Sequence, residues 1–125
     1  MHLTNVKTVP KRAAVLTKAV LRAADLLGLK DVELARAIGV SAPTVSRYKC
    51  GAAQIDPARK PGELALLLVR LFRSLDPLIG ADGEKRKAWM HTRNHALGGV
   101  PAELVLQAEG LVRTLAYLDG LRAPA

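Results

Sequence analysis

The stretch Asp31-Val32-Glu33-Leu34-Ala35-Arg36-Ala37-Ile38-Gly39-Val40-Ser41-Ala42-Pro43-Thr44-Val45-Ser46-Arg47-Tyr48-Lys49-Cys50-Gly51 holds two short helical patterns and the signals that separate them. Asp31 to Ala37 reads as the first helix, and Gly39 breaks it where a tight turn wants positive φ. Ser41 stands where its hydroxyl can cap a second helix by accepting the backbone N–H of Thr44. That helix runs from Ala42 to Cys50, and Gly51 stops it. On the N-terminal side, residues 1–9 are polar and unpatterned and read as fraying. Pro10 suits the first turn of a longer helix. Its apolar positions Ala13, Leu16, Val20, Ala24 and Leu27 recur at spacings of three or four, up to a cap at Gly28. On the C-terminal side, Gly51 to Gly62 holds two prolines and Arg59-Lys60 and reads as a loop or linker. A boundary there divides residues 1–60 from residues 61–125.

Glu63 starts the most apolar helix of the chain. Leu64, Leu67, Leu68, Leu71, Phe72 and Leu75 form one face, and Ala65, Leu66 and Val69 widen it past what one small core can cover. That surplus predicts dimerisation through residues 63–79. Gly80 to Gly83 reads as a turn, and a helix from about Glu84 carries Ala88 and Trp89. Leu97-Gly98-Gly99 is a second turn, after which Pro101 opens another helix with Glu103 in its first turn. Gly110 interrupts that pattern before Leu111, Leu115 and Leu118 resume it. Trp89 reads as a core anchor against the Pro101 helix, and Asn94 as the residue that closes its own helix. Gly110 reads as a point of close packing or a break, since glycine inside a helix costs about 1 kcal/mol against alanine.

The 125 residues suit one compact domain or two very small ones. Twenty Ala and 21 Leu outweigh the seven Ile, Tyr, Phe and Trp, which favours helices over strands. The fold class expected is all-α. Cys50 is the single cysteine, so no disulfide forms within the chain. The apolar run Leu64 to Val69 ends at Arg70, far short of the roughly 20 residues a bilayer span needs. No apolar h-region follows Met1-His2-Leu3-Thr4, so a signal peptide is not expected and a cytoplasmic location is. Charge is uneven. Residues 1–60 carry eleven Lys and Arg against four Asp and Glu, for +7; residues 61–125 carry eight against seven, for +1. A basic half beside a neutral half points to one part facing a polyanion and another doing something else.

The segment Glu33 to Arg47 resembles a helix-turn-helix of the Xre/Cro type. Ala35 is small where two such helices cross, and Ile38, Val40 and Val45 fill the wedge between them. The resemblance implies that the second helix enters the major groove, with Ala42, Pro43, Thr44 and Arg47 facing base edges. The fork of Arg47 suits guanine O6 and N7. Thr44 can donate to a base, meet a thymine methyl, or serve the cap. Ser46 and Lys49 are placed for phosphate, with Lys30 and Arg36 more loosely so. Ala42 and Pro43 offer no side-chain hydrogen bonds, and Asp31 sets an anion nearby, so modest base discrimination is expected. Lys11, Arg12, Lys18 and Arg22 read as an exposed helix face.

Residues 63–122 carry a second resemblance. Trp89, Asn94, Leu97, Gly98-Gly99, Pro101, Leu104, Gly110 and Leu118 are similar in order to the Xre/MbcA/ParS toxin-binding domain. Gly62-Glu63-Leu64-Ala65 and Leu68 to Leu75 are similar to antitoxins of RES–Xre toxin–antitoxin pairs. The resemblance implies a DNA-binding antitoxin that neutralises a RES-domain toxin, an NAD-consuming enzyme, and represses its own operon. Its partners would be that toxin, operator DNA and at least one further copy of the chain, with no membrane. Arg113, Tyr117, Asp119 and Arg122 are the polar residues to seek at the toxin, with the tail Gly120 to Ala125 short and free enough to enter its cleft.

Catalytic chemistry finds no support. His91 and His95 would share a helix face, but Thr92 stands where a metalloprotease helix needs Glu, and no third ligand is evident. Cys50 has Lys49 beside it but no His or carboxamide arrangement of a nucleophile, and reads as a packed or backbone-near thiol. Gly98-Gly99 lacks the Lys-Ser/Thr of a phosphate loop. No cofactor, metal or catalytic residue is expected. The rival readings are a stand-alone helix-turn-helix regulator whose second domain only dimerises or binds an effector, and a structural adaptor with a relic helix-turn-helix.

Overall fold

The computed structural model describes residues 3–124, with side chains from Lys11 to Pro124. Seven α-helices and no strand make up these described residues: α1 (Leu3–Leu27), α2 (Asp31–Ile38), α3 (Ala42–Cys50), α4 (Lys60–Ile79), α5 (Gly83–His91), α6 (Pro101–Leu104) and α7 (Ala108–Arg122). The all-α expectation holds.

α1 starts earlier than its proline suggests. The backbone is helical from Leu3, so Pro10 lies inside the helix and the fraying expected of residues 1–9 is not seen from Leu3 onward. Met1 and His2 lie outside the described residues. A proline removes one backbone donor, and residues 3–9 hold no glycine or second proline to stop the helix. From Lys11 on, α1 buries Ala13, Thr17, Val20, Ala23, Ala24 and Leu27. Thr17 ties this helix to the loop after α3: its hydroxyl donates to the Ala13 carbonyl at 2.7 Å and accepts the Ile55 N–H at 2.8 Å.

α4 is the axis of the molecule. It begins at Lys60 rather than Glu63, with Pro61 in its first turn, where a missing N–H is harmless. Gly62 is buried there because a β-carbon would strike the backbone of Asp56 and Pro57. Leu68, Leu71 and Leu75 are fully buried, with Ala65 and Val69 beside them. Helices α1 and α7 lie along α4 and cover these side chains. Most of the apolar surplus is therefore used within one chain, with Leu66 left 50% exposed. Leu68, Leu71 and Leu75 cannot serve a dimer contact while the chain keeps this fold, and Leu64, Leu67 and Phe72 are half-buried against the same core.

The last third departs from expectation in its joints. Asn94 does not end α5, which stops at His91 with Thr92 extended. Asn94 instead organises the following turn: Oδ1 accepts the Leu97 N–H at 3.1 Å, and its backbone pairs with Gly99. Trp89 is half-buried, whereas its neighbour Met90 is wholly enclosed and fills the core position. The helix opened by Pro101 ends after one turn, at Leu104, and α7 begins at Ala108. Gly110, in the first turn of α7, lies against the Leu104 backbone where any side chain would collide. Both a break and a close approach are present.

Arg86 joins α1, α4 and α5. Its side chain is 8% exposed, donates to Asp76 Oδ1 at 2.9 and 3.2 Å and to the Leu26 carbonyl at 3.4 Å, and lies over Phe72. One continuous set of buried residues runs from Val20 to Leu118.

Candidate DNA-contact and partner-binding surfaces

α2 and α3 are set by their caps. The Lys30 N–H donates to Glu33 Oε1 at 2.8 Å, which satisfies one orphan donor at the start of α2. Gly39, at φ +78°, ends α2 in the left-handed conformation that its neighbours' side chains would resist. Ser41 caps α3 as expected, accepting the Thr44 N–H at 3.2 Å. Val45 and Tyr48 are buried, so the opposite side of α3 is turned out. Pro43, Ser46, Arg47 and Cys50 are exposed on it, and Ala42 and Thr44 are half-buried at its edges.

The exposed side is internally bonded. Ser41 Oγ and Thr44 Oγ1 are 2.8 Å apart, and Arg47 Nη2 donates to Thr44 Oγ1 at 3.1 Å. The cap thus steadies the guanidinium. Lys49 is not free for phosphate: Nζ lies 2.9 and 3.0 Å from the two Asp31 carboxylate oxygens. Both groups are about half exposed, so water and salt weaken the pair. Among the described residues Lys30, Arg36 and Arg47 form no ion pair and stand exposed. Cys50 is exposed rather than packed, and its thiol lies 3.5 Å from the Arg47 carbonyl, the backbone-near arrangement. Burial raises the Tyr48 pKa above the usual phenol value, and the nearby Arg47 charge partly offsets this.

The four residues singled out for a toxin do not converge. Arg113 Nη2 donates to the Leu97 carbonyl at 2.6 Å, on the side of the Gly98-Gly99 turn. Tyr117 is half-buried against the core on the same edge of α7. Asp119 and Arg122 lie on the other edge, against α4. Ser74 Oγ donates to Asp119 Oδ1 at 2.6 Å, Arg122 Nη1 donates to Ser74 Oγ at 3.2 Å, and Arg70 is 3.8 Å from Asp119 Oδ2. Ser74, buried in a leucine-rich helix, is the residue that reading the sequence missed; a lone serine on an apolar face was its signal. Nor is the tail free as expected, because α7 continues through Arg122 and leaves only Ala123 and Pro124 beyond it among the described residues.

His91 and His95 do not share a helix, since α5 ends at His91. His91 Nδ1 is 2.9 Å from the Lys87 carbonyl. Among the described residues no cluster of three potential metal ligands occurs. No helix there is long and apolar enough to cross a membrane.

A capped, outward-facing α3 set behind α2, with further helices built on the same core, defines a helix-turn-helix regulator. Residues 10–70 match the Xre-like helix-turn-helix domain of antitoxins, and residues 70–123 match the C-terminal toxin-binding domain of Xre, MbcA and ParS antitoxins. Together these span nearly the whole chain, and it belongs to the Xre-type antitoxins. Both families are non-enzymatic regulators. Among curated proteins none matches the chain closely enough to count as a relative.

Proposed function

We propose that this chain is the antitoxin of a RES–Xre pair: it neutralises a RES-domain toxin that consumes NAD, and represses its own operon from the cytoplasm. One observation carries the reading. A helix-turn-helix and a toxin-binding domain share a single core in one short chain. The proposed functional halves are residues 1–60 for DNA and 61–125 for the toxin.

On DNA, Arg47 reads a base edge, held in place by Thr44. Ala42, Pro43 and Ser46 flank it, and Lys30, Arg36 and Lys49 meet phosphates, Lys49 only after leaving Asp31. Two copies on a symmetric operator fit the habit of helix-turn-helix proteins, but their contact lies outside the buried α4 leucines. At the toxin, Asp119 and Arg122 act together on the α4 side, and Arg113 with Tyr117 form a separate contact.

The test pairs growth with gel shift. Co-expression with a RES-type reading frame beside this gene should restore growth that the toxin alone arrests, and the chain should shift the upstream duplex. Arg47→Ala should weaken operator binding by about 1–3 kcal/mol while leaving random duplex nearly unchanged. Equal losses on both duplexes remove Arg47 as a base reader, and a toxin unaffected by the chain ends the antitoxin reading.

A further inference from the structure

Between α1 and α4 runs a groove of about 370 Å³ that neither the core nor the DNA-facing helix uses. Leu16, Ala19 and Val69 line its floor. Val15 and Leu66 stand beside it, 61% and 50% exposed, and with the floor they make a contiguous apolar patch rather than scattered single side chains. Lys11, Arg12 and Arg73 form its rim. Among the described residues none of these three cations is ion-paired, and no carboxylate lines the groove. Asp56 shares a separate hollow with Arg12 and accepts the Ala58 N–H at 2.9 Å.

An apolar floor inside a cationic rim selects its occupant by charge. A two-fold contact with a second copy would set each patch on itself, so three cations from each side would meet with no anion between them. A segment whose apolar side chains are flanked by Asp and Glu meets no such repulsion. The groove also joins the other side of α4. Glu63, Leu66, Arg70 and Arg73 form one outward stripe of that helix, and Arg70 reaches Asp119 on α7. The groove and the α7 edge are thus parts of one surface.

We propose that the α1–α4 groove seats an acidic amphipathic segment of the toxin, so that the toxin bridges the toxin-binding domain and the helix-turn-helix half; this rests on the antitoxin reading. The experiment uses the full chain and the toxin from the adjoining reading frame, inactivated for expression. Affinity of the unaltered chain is measured first by calorimetry. Arg12→Glu with Arg73→Glu, and separately Leu66→Gln, should then weaken binding about tenfold or more, with thermal midpoint and hydrodynamic size unchanged. A benzoylphenylalanine in place of Val15 should cross-link to an acidic amphipathic stretch of the toxin. Undiminished affinity in both variants overturns the proposal, as does a cross-link to a second copy of the chain. An unaltered chain that fails to bind the toxin defeats the antitoxin reading itself, a result distinct from tight binding that the variants leave intact.

Discussion

Thr44 serves the fold and the surface together, its N–H closing the α3 cap and its hydroxyl holding Arg47. Ser41→Ala removes the acceptor and should cost about 1 kcal/mol in chemical denaturation, with operator binding falling further because Arg47 loses its anchor chain. Asp31→Asn works in the opposite direction. It frees Lys49, so binding to every duplex should tighten, and the slope of log affinity against log salt should steepen by about one unit. An unchanged slope would show that Lys49 never reaches phosphate. Tyr48 gives a pH test. Its folded pKa is raised above the unfolded value of about 10, so the folded chain keeps the proton longer. Stability is therefore fully present below about pH 10 and declines as pH rises from there through the folded pKa. Tyr48→Phe should flatten that alkaline decline in urea melts at several pH values. The caps and the outward residues of α3 were legible because turn and cap chemistry act over three or four positions. The Lys49–Asp31 pair was not, since its partners are 18 residues apart and only the packing of α2 on α3 joins them.

α4 shows what a hydrophobic pattern conveys and what it leaves open. Its leucines announce a helix with much surface to bury, yet the pattern is the same whether the cover is a second chain or α1 and α7. Here the chain's own helices cover it, so Leu68→Glu should abolish the cooperative thermal transition rather than shift a dimer to monomers. The end of the chain was harder to read. Pro101 and Gly110 both signalled, correctly, but a proline that starts one turn and a glycine that starts the next helix look in sequence like one interrupted helix. Helix α7 offers a sign test. On an unobstructed helix Gly110→Ala would stabilise by about 1 kcal/mol; against the Leu104 backbone it should instead destabilise by about 1–3 kcal/mol, as overpacking does. A raised melting temperature in that variant would mean the joint is looser than the structure shows.

Arg86 ties the molecule together across its length, from the Leu26 carbonyl of α1 to Asp76 of α4. Its loss would not strand a fully buried charge, because Asp76 is 39% exposed. Arg86→Met should therefore lower stability by about 1–3 kcal/mol, the range for leaving a carbonyl and a partly solvated carboxylate unpaired. The transition should remain a single one, because the residues matching the two family domains meet at Arg70, in the middle of α4. That shared helix has a consequence for the lifetime of the protein. A protease that severs α4 would bare apolar stripes on both fragments and leave neither able to refold alone. On the proposed reading, one cut would then end DNA binding and release the toxin together, so a cell that controls degradation of this chain would control both outcomes through one half-life.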